Sequence, residues 1–371
     1  MNFCFVFRIN ELSKSRSGIF RKHIGQIFSL LDLGNEIFGI FMHKNFILFV
    51  KFNKNLAYEI LESFQVNQLE ERECFWSVSS DIINSKSFNF TYVRYDYSYH
   101  DKIFFNFVED ITAKTKIILE IPTFPYEEII PSQFIQIENS RRRRILGLID
   151  HVTTPSRVHS IDNKSTFVFD NGYYSDFKKI NLENNLIINN LIKLIMTANF
   201  AEWHGAERIL YSLKSYLSKS PDSSIRLVLV GDGPELPRLK KITEKLKLLD
   251  NVNFEGFVHV DKLPYYYSSM SCGLCTLGEY NANRQDSSTL KSKEYLMHGL
   301  PVVYAVDDPV LDNSPYTLKV ANDSSIPDME RICSFVTKMQ SAKDIRQLIY
   351  EYHKDSISWK PFAKMLTRSI S

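Results

Sequence analysis

Long apolar runs are missing from this chain, and its first residues do not have the pattern expected of an export signal. No stretch of eighteen apolar residues occurs in its 371 residues, so we expect no membrane-spanning helix. The first ten residues, MNFCFVFRIN, contain an arginine and no small-residue cleavage site, which does not fit a signal peptide. These absences favour a protein that stays in the cytoplasm.

Cysteines are few, and their pattern does not fit a disulfide framework. The five are scattered and odd in number, as expected of reduced thiols, at Cys4, Cys74, Cys272, Cys275 and Cys333. Cys272 and Cys275 form a C-x-x-C motif, but it lies in the apolar run CGLCTL without a second Cys or His pair nearby. The sequence has no D-x-D pair or carboxylate cluster that suggests a metal. We therefore expect neither a bound metal nor another cofactor.

A strong charge of either sign is also missing. The net charge is +2 and the aromatic share is 13%, which favours neither a disordered chain nor a general nucleic-acid binder. A length of 371 residues is sufficient for two domains, each with its own core. The sequence contains no internal repeat and no low-complexity segment. A globular protein with two domains is the expectation.

The N-terminal half alternates strands and helices, which is typical of a doubly wound α/β domain. A strand at residues 3–7 is followed by a polar loop and by a helix at about 19–33 with apolar side chains on one face. Gly18 lies at the turn into that helix, and it is either a ligand-binding glycine or an ordinary turn glycine. Further strands are predicted at 37–41, 46–50, 88–92, 116–120 and 166–169, and helices near 56–64 and 101–114. The interval 65–85 gives no clear pattern, and 176–190 is the predicted linker.

The C-terminal half continues the same alternation, with strands predicted at 191–198 and 225–230. The second of these leads into the turn Gly231-Asp232-Gly233-Pro234. Glycines at such a strand-to-helix turn let the backbone approach a ligand closely. Gly231 and Gly233 are therefore candidate ligand-binding residues.

The segment 286–303, which reads DSSTLKSKEYLMHGLPVV, predicts a capped helix followed by a strand. Ser288 and Thr289 precede the apolar pattern as capping residues, and the helix should end at Gly299. Lys291 and Glu294 lie three residues apart on one helical face. The free N–H groups at the start of such a helix favour an anion, and phosphate is the usual one.

These motifs resemble the donor site of retaining GT-B glycosyltransferases of the family 4 type, also called group 1. The run EYLMHGLPV at 294–302 matches the second half of the family signature, and Asp286 precedes Glu294 at the signature's spacing. In the first half, Asp286 stands for a glutamate, and Ser-Ser-Thr stands for the usual Pro-Phe-Gly. The turn at 231–234 also resembles the family, and the runs R-Y at 94–95 and EIPTFPY at 120–126 are similar to its surface-polysaccharide branch.

The resemblance implies a GT-B fold, with two Rossmann-like doubly wound domains that face an interdomain cleft. Residues 1–180 would form the acceptor-binding domain and residues 190–350 the domain that binds the nucleotide sugar. Residues 351–371 would form a last helix that crosses back to the first domain, with Trp359 as its packing anchor. The first domain of the family often holds the sugar with a histidine. This sequence has none in that place, so Glu120, Thr123 or the backbone is left for that role.

The resemblance also implies the donor-site residues. It assigns catalytic roles to Asp286, Lys291 and Glu294, and donor binding to Gly231, Gly233, Ser288, Thr289, Lys291, Glu294, His204 and Arg208. The place of Gly18 at the end of the first strand makes it a further candidate for donor binding. In the family's G-R-L-x-x-x-K-G segment, Asn199 here replaces the arginine and His204 the lysine. Arg208 is either a substitute for that phosphate clamp or a surface residue of its helix. Glu279 is a rival to Asp286, and Arg284 is a further candidate for the phosphates.

One strongly basic run lies at Arg141, Arg142, Arg143 and Arg144. It is either a contact with anionic lipid at the inner face of the membrane or a solvated helix face. A membrane contact would suit an acceptor that is carried on a lipid.

The function implied by the resemblance is a retaining hexosyltransferase. It would move a sugar from a nucleoside-diphosphate sugar to a glycan or lipid-linked glycan acceptor in bacterial surface-polysaccharide biosynthesis, with no nucleic-acid partner. The altered phosphate clamp supports a second hypothesis, a weak or inactive GT-B subunit that acts as the partner or scaffold of another transferase. A sugar-phosphate isomerase of the same architecture would need acid–base histidines, which the sequence does not place in the cleft.

Overall fold

The computed structural model describes residues 1–10, 12, 17–55, 57–67, 69–97, 102–126, 130–174, 182 and 191–370. The chain divides into two compact units. Unit 1 comprises Met1–Asp170 and Trp359–Ser371, and unit 2 comprises Asn171–Ser358. The predicted linker at 176–190 lies, apart from residue 182, outside the described residues.

Unit 1 is built on a sheet that has nine strands in the described part of the chain, in the order β4-β3-β2-β1-β5-β6-β7-β9-β8. The strands are β1 (Asn2–Asn10), β2 (Glu36–His43), β3 (Phe46–Phe52), β4 (Tyr58–Gln65), β5 (Phe90–Arg94), β6 (Lys116–Glu120), β7 (His151–Thr154), β8 (Ser160–Ile161) and β9 (Lys164–Val168). The helices of this unit are α1 (Ser17–Asp32), α2 (Glu71–Ser85), α3 (Ile103–Ile111), α4 (Ile135–Leu148) and α12 (Lys360–Ile370).

Strand β1 lies at the point where the strand order of unit 1 reverses. It is parallel to β2 on one side and parallel to β5 on the other. The chain leaves β1 toward β2 and the antiparallel strands β3 and β4, and later returns to add β5, β6 and β7 on the opposite side. Open α/β sheets bind ligands outside the carboxyl ends of the strands at such a switch point.

The helix predicted near residues 56–64 is wrong, because β4 occupies Tyr58–Gln65 as the antiparallel partner of β3. Its sequence, YEILESFQ, is rich in helix formers and has no clean alternation. The segment forms a strand because it pairs with β3. Without β4, the backbone N–H and C=O groups on the outer edge of β3 would have no partners. The interval that had no clear pattern contains α2, and β5 begins two residues later than predicted.

The core of unit 1 is rich in phenylalanine and includes the end of the chain. Strand β1 buries three phenylalanines, Phe3, Phe5 and Phe7, and burial of each such ring contributes about 1.5–3 kcal/mol. Helix α12 packs on α1 and β9. Trp359, just before α12, is buried, with its ring 6.4 Å from that of Phe169.

Unit 2 contains a six-stranded sheet within the described residues, in the order β12-β11-β10-β13-β14-β15, and all its strand pairs are parallel. The strands are β10 (Ile192–Asn199), β11 (Ile225–Asp232), β12 (Val252–Gly256), β13 (Cys272–Leu274), β14 (Val302–Tyr304) and β15 (Thr317–Lys319). The helices are α5 (Ala206–Lys219), α6 (Leu236–Lys245), α7 (Leu263–Ser268), α8 (Leu290–Met297), α9 (Pro309–Asp312), α10 (Met329–Gln340) and α11 (Ile345–His353).

The strand order of unit 2 reverses between β10 and β13. From β10 the chain adds β11 and β12 on one side, and then β13, β14 and β15 on the other. The segments that follow β10 and β13 therefore lie at the carboxyl edge of the sheet, where this type of sheet binds ligands. Across the described residues, no helix in either unit is long and apolar enough to cross a membrane.

Candidate functional site

The start of helix α8 is fixed by side-chain hydroxyls. Thr289 is the N-cap, and its Oγ1 accepts a hydrogen bond from the Ser292 N–H at 3.4 Å. Ser288 is buried, and its Oγ accepts from the Asn171 N–H at 3.0 Å. The helix therefore begins at Leu290, and both hydroxyls predicted to bind phosphate have partners inside unit 2. The N–H groups of Leu290 and Lys291 are the donors that the first turn leaves open.

Lys291 stands out because, in the described part of the chain, no carboxylate lies close enough to form an ion pair with its ammonium group. Its Nζ makes no hydrogen bond or ion pair with any residue that the structure describes, and the side chain is half-buried. Burial lowers the pKa of Lys291 to about 8, and the more distant Cys275, Glu279 and Glu294 oppose that shift. A half-buried cation next to open N–H donors is a site for an anion.

Glu294 lies on α8 three residues after Lys291, which is slightly less than one helical turn. Its side chain is half-buried, and its charge acts on both Lys291 and the buried Tyr267. The structure thus brings together Lys291 and Glu294, the two residues on which the sequence hypothesis depends most. The predicted helical face is present.

His204 lies in a single 3₁₀ turn, Glu202–His204, between β10 and α5. Its Nδ1 accepts a hydrogen bond from the Ala201 N–H at 2.9 Å, so the ring proton belongs on Nε2. Burial and the charge of Lys291 lower the pKa of His204 to about 2. The residue is therefore neutral and offers one N–H donor, so it does not supply the charge of the lysine that it replaces in the motif.

The His204 turn is docked against the segment after β13. The carbonyl of His204 accepts from the Leu277 N–H at 3.0 Å, and that of Trp203 accepts from the Gly278 N–H at 3.2 Å. Gly205 has a φ of +63°, and a Cβ there would meet the Gly278 nitrogen at 2.6 Å. These contacts hold the two loops of the switch point together.

Arg208 does not fit the role of a substitute phosphate clamp. Its side chain is buried, and its guanidinium donates to the carbonyl of Leu277, to that of Ser325 at 2.8 Å and to that of Ala321 at 2.9 Å. Asp323 lies 3.7 Å from the same group. Arg208 therefore ties two loop segments of unit 2, the one after β13 and the one between β15 and α10, to helix α5, and its donors are committed to backbone oxygens. The alternative, a surface residue of the helix, is also wrong.

Gly231 and Gly233 are needed for packing between two strands of the sheet. Both have positive φ values, +131° and +129°. A Cβ on Gly231 would lie 1.8 Å from the carbonyl oxygen of Ala198, and one on Gly233 would lie 2.4 Å from the nitrogen of Phe200. Gly231 therefore makes room for Ala198 of β10, and Gly233 makes room for the chain where it leaves β10. The predicted role of these two glycines in ligand binding stays a prediction.

Asp286 and the rival candidates lie on the segment that leads to α8. Asp286 forms an isolated parallel bridge with Asp307, in which the Ser287 N–H donates to the Asp307 carbonyl at 3.0 Å. Glu279 is buried and pairs with Arg284 at 3.0 Å. Glu279, the alternative candidate for the sugar, and Arg284, the candidate for the phosphates, thus neutralise each other.

Two further groups at this site were missed by the sequence analysis. Lys293 is fully buried on α8 and forms an ion pair with Asp308, which is also the N-cap of α9. The Tyr295 hydroxyl accepts from the Thr197 N–H at 2.8 Å. The sequence held two signals for the ion pair between Lys293 and Asp308. Lys293 is a charged residue on the helix face opposite Lys291, and Asp308 precedes a proline, as an N-cap residue often does.

In unit 1, Glu120 ends β6 and is saturated with donors. Lys22 and Arg94 each lie 2.9 Å from its Oε1, while Gln26 and Tyr92 donate to Oε2 at 3.0 Å and 2.7 Å. Burial alone would raise the pKa of Glu120, but Lys22 and Arg94 hold it well below its ordinary value. This carboxylate is therefore the centre of a buried network.

Two other predicted positions in unit 1 are placed differently from expectation. Gly18 is the second residue of α1, and a Cβ there would have no neighbour within 4 Å, so no close approach requires a glycine. The run of four arginines lies in α4, which buries Arg142 and leaves Arg143 and Arg144 exposed. Arg142 is buried against Phe124 and paired with Asp162 at 2.6 Å, so it is not part of a basic surface.

Comparison with known proteins agrees with this architecture. The family described as Glycosyl transferases group 1 matches residues 177–310. No curated protein sequence matches the chain. Among solved structures, the chain is similar to Anabaena HepE in complex with UDP and glucose, at 12% identity and a TM-score of 0.63, covering 100% of this chain and 99% of that one.

Two plant and bacterial enzymes give the same result. The catalytic domain of starch synthase IV from Arabidopsis thaliana, bound to ADP and acarbose, is 11% identical with a TM-score of 0.66, over 100% of this chain and 99% of that one. Sucrose-phosphate synthase from Thermosynechococcus elongatus is 13% identical with a TM-score of 0.67, over 99% and 98%. The chain has the GT-B fold, and residues 177–310 match the model of the group 1 glycosyltransferases.

Proposed function

We propose that the protein is a retaining glycosyltransferase that moves a hexose from a nucleoside-diphosphate sugar to a glycan or lipid-linked glycan in surface-polysaccharide biosynthesis. One observation carries the proposal. Lys291 has an ammonium group without a partner among the described residues, beside the open N–H groups at the start of α8 and near the switch point of the unit 2 sheet.

The chemistry of sugar transfer requires charge neutralisation more than acid–base catalysis. When the bond between the anomeric carbon and the diphosphate oxygen breaks, the electron pair stays with the diphosphate, whose negative charge grows. Lys291, the N–H groups of Leu290 and Lys291, and the Nε2–H of His204 are fixed donors for that charge. They act without reorganising during the reaction, which is how preorganised sites lower a barrier.

The remaining donor contacts follow from the family resemblance. Glu294 would accept hydrogen bonds from the ribose hydroxyls, and Asp286 would contact hydroxyls of the transferred sugar. Retention of the anomeric configuration, the surface-polysaccharide pathway and independence from metal ions are proposed on the same resemblance. The UDP and ADP found in the similar structures support a diphosphate nucleotide as the donor's carrier.

The experiment is to incubate the protein with a panel of UDP-, ADP- and GDP-sugars and with glycan acceptors, and to measure release of the nucleoside diphosphate. We expect release with one donor, an unchanged rate in EDTA, and a product whose new linkage has the donor's anomeric configuration by NMR. An inverted linkage would overturn retention alone. No binding of any nucleoside diphosphate by calorimetry would overturn the whole proposal.

A second candidate, a partner subunit without turnover, is favoured by the state of the phosphate clamp. His204 is neutral, and Arg208 is committed to backbone carbonyls, so neither supplies the charge of the family's clamp. The two candidates differ in one measurement. A partner subunit would bind a nucleoside diphosphate weakly or not at all, would release none from any donor, and would co-purify with an active transferase.

We propose further that the protein works in the cytoplasm and touches the inner face of the membrane through unit 1. The supporting feature is a cavity of about 360 Å³ lined by Lys102, Ile137, Arg141 and Arg144. Ile137 is exposed, and three cationic residues line the same cavity. Each lysine or arginine near an anionic surface adds on the order of 1 kcal/mol. Sedimentation with phosphatidylglycerol vesicles, but not with phosphatidylcholine vesicles, is the expected result, and Arg141→Gln with Arg144→Gln should abolish it.

A further inference from the structure

Unit 1 has a cavity at its own switch point. It measures about 280 Å³ and is lined, among others, by Arg8, Trp76, Arg94, Tyr95, Asp96 and Tyr97. Arg8 lies near the carboxyl end of β1, and Arg94 is the last residue of β5, the two strands between which the order reverses. The cavity therefore lies where an open α/β sheet binds its ligand.

Two arginines present unused donors at this cavity. Arg8 bonds through Nη1 to Glu71 at 3.1 Å and through Nε to Asp96 at 3.4 Å. Arg94 bonds through Nη1 to Glu120 at 2.9 Å. In the described part of the chain, Nη2 of Arg8 and Nη2 of Arg94 have no hydrogen-bond partner, and neither is closed off from solvent. Each guanidinium is thus anchored at one end and available at the other.

The carboxylate in the cavity does not cancel this positive charge. Oδ2 of Asp96 accepts from Arg8, from Arg72 at 3.0 Å and from the Trp76 Nε1–H at 3.1 Å. Lys22 and Arg94 share Glu120 in the same way. Each of these two carboxylates is thus shared between two cations, and neither is held by Arg8 or Arg94 alone.

The aromatic part of the lining is already fixed in place. The Tyr95 hydroxyl donates to Glu138 at 2.6 Å, and the Tyr97 hydroxyl donates to the Thr123 carbonyl at 3.2 Å. Their rings are 5.3 Å apart in an edge-to-face arrangement. Rings held in this way offer an apolar wall on which one face of a sugar can pack.

We propose that this cavity binds an anionic group of the acceptor, a sugar carboxylate or a phosphate, between Arg8 and Arg94. The planar guanidinium matches both oxyanions, because its paired N–H groups donate to two oxygens at once. The word acceptor rests on the proposed function, whereas the oxyanion site rests on unit 1 alone. The cavity has room for about one sugar residue, so the ligand is the acidic unit at the end of the acceptor.

The test uses the full chain and three small probes, methyl β-glucuronide, methyl β-glucoside and glycerol 3-phosphate, measured by saturation-transfer NMR and calorimetry. We expect the glucuronide or the phosphate to bind at least tenfold more tightly than the neutral glucoside, and to weaken as salt is raised. The preferred probe distinguishes an acidic sugar from a phosphate. Equal binding of all three, or tighter binding of the glucoside, would overturn the proposal.

Variants locate the site. Arg8→Gln leaves Arg72 and Trp76 on Asp96, and Arg94→Gln leaves Lys22 on Glu120, so circular dichroism should show both variants folded. Each should weaken binding of the anionic probe at least tenfold, while Arg331→Gln on the exposed surface of α10 should not change it. Arg8→Lys should recover part of the affinity, since it restores the charge without the fork. Unchanged binding in both glutamine variants would overturn the assignment.

Nucleotide binding separates this inference from the proposed function. UDP and ADP are titrated into the same samples. Nucleotide binding without any anionic-probe binding would overturn the cavity proposal and leave the transferase proposal standing. Probe binding that depends on Arg8 and Arg94, without any nucleotide binding, would overturn the transferase and support the oxyanion site.

Discussion

Lys291 and Lys293 lie on opposite sides of helix α8, and only Lys293 has a carboxylate partner among the described residues. Residues two positions apart in sequence differ by about 200° around the axis of an α-helix. Lys293 points into the core of unit 2 and pairs with Asp308, whereas Lys291 lies at the half-buried start of the helix without such a pair. A lysine thus has a structural role at position 293, whereas the lysine at position 291 has no ion-pair partner among the described residues.

Replacing Lys291 with methionine should weaken UDP or ADP binding at least tenfold, because a hydrogen bond to a charged group contributes about 1.5–3 kcal/mol. The melting temperature should stay the same or rise, since a half-buried ammonium without a partner is removed. Calorimetry and thermal unfolding measure the two effects. Wild-type affinity in this variant would contradict the assignment of Lys291.

Lys293→Met is the matched variant on the other face of α8. It leaves the buried Asp308 carboxylate uncompensated, which costs about 3–5 kcal/mol. We expect a large drop in the free energy of unfolding, while the protein that remains folded binds UDP or ADP as before. Chemical denaturation and calorimetry on the same sample check this, and a stable Lys293→Met protein would refute the structural role.

The pH dependence of nucleotide binding should follow Lys291. Its pKa in the folded protein is lowered to about 8 from an ordinary 10.5, so the unfolded chain binds more protons between these values. Its contribution to the free energy of unfolding therefore rises with pH across that window. Affinity for UDP or ADP changes in the opposite direction and should fall as pH passes through about 8. Lys291→Arg should bind with little pH dependence between 7 and 9, because arginine stays charged.

His204 should stay neutral throughout the working range. With a pKa of about 2, it should show no titration by NMR between pH 5 and 8. His204→Asn can keep the acceptor for the Ala201 N–H but loses the Nε2–H donor. We expect that variant to retain its melting temperature within a few degrees and to lose about tenfold in turnover. A ring that titrates near pH 6 would contradict the bond from Ala201.

The glycines of the two units should respond in opposite ways. Gly231→Ala places a Cβ against the Ala198 carbonyl at positive φ, and we expect a loss of about 4 kcal/mol or more. Gly18→Ala has open space in α1 and should gain up to about 1 kcal/mol with unchanged nucleotide affinity. Denaturant unfolding measures both. A loss of UDP or ADP binding in a stable Gly18→Ala protein would restore the ligand role of that glycine.

Arg208→Met tests whether this arginine is structural. Three carbonyls would lose their donor, so we expect a loss of about 2–4 kcal/mol in the free energy of unfolding. The affinity of the folded protein for UDP or ADP should not change. A tenfold loss of affinity at unchanged stability would instead make Arg208 part of the phosphate clamp.

The sequence predicted the local features of this fold and site well. The periodicity and turn residues located most of the strands, and the capped helix at α8 with Lys291 and Glu294 on one face was confirmed in outline. These features depend on residues that are close together in sequence, so they can be predicted from one amino-acid sequence. The roles of Lys291 in binding the diphosphate and of Glu294 in binding the ribose stay predictions.

Long-range contacts explain what the sequence missed. Arg208 and Arg142 are charged residues that favour the surface by type, and each is buried because partners distant in the chain satisfy it. Strand β4 forms because β3 needs a partner, although its own residues favour a helix. The glycines at 231 and 233 were identified as sites of close backbone approach, and the neighbours that the sequence could not name are Ala198 of β10 and Phe200 just after it.

Helix α12 has a consequence for the order in which the protein can assemble during synthesis. Its buried side chains belong to the core of unit 1, which otherwise ends at Asp170. On the ribosome, unit 1 must wait with part of its interior uncovered until residues 359–370 emerge. Unit 2 needs only its own continuous stretch of chain and can complete its core first, although most of unit 1 is translated before it.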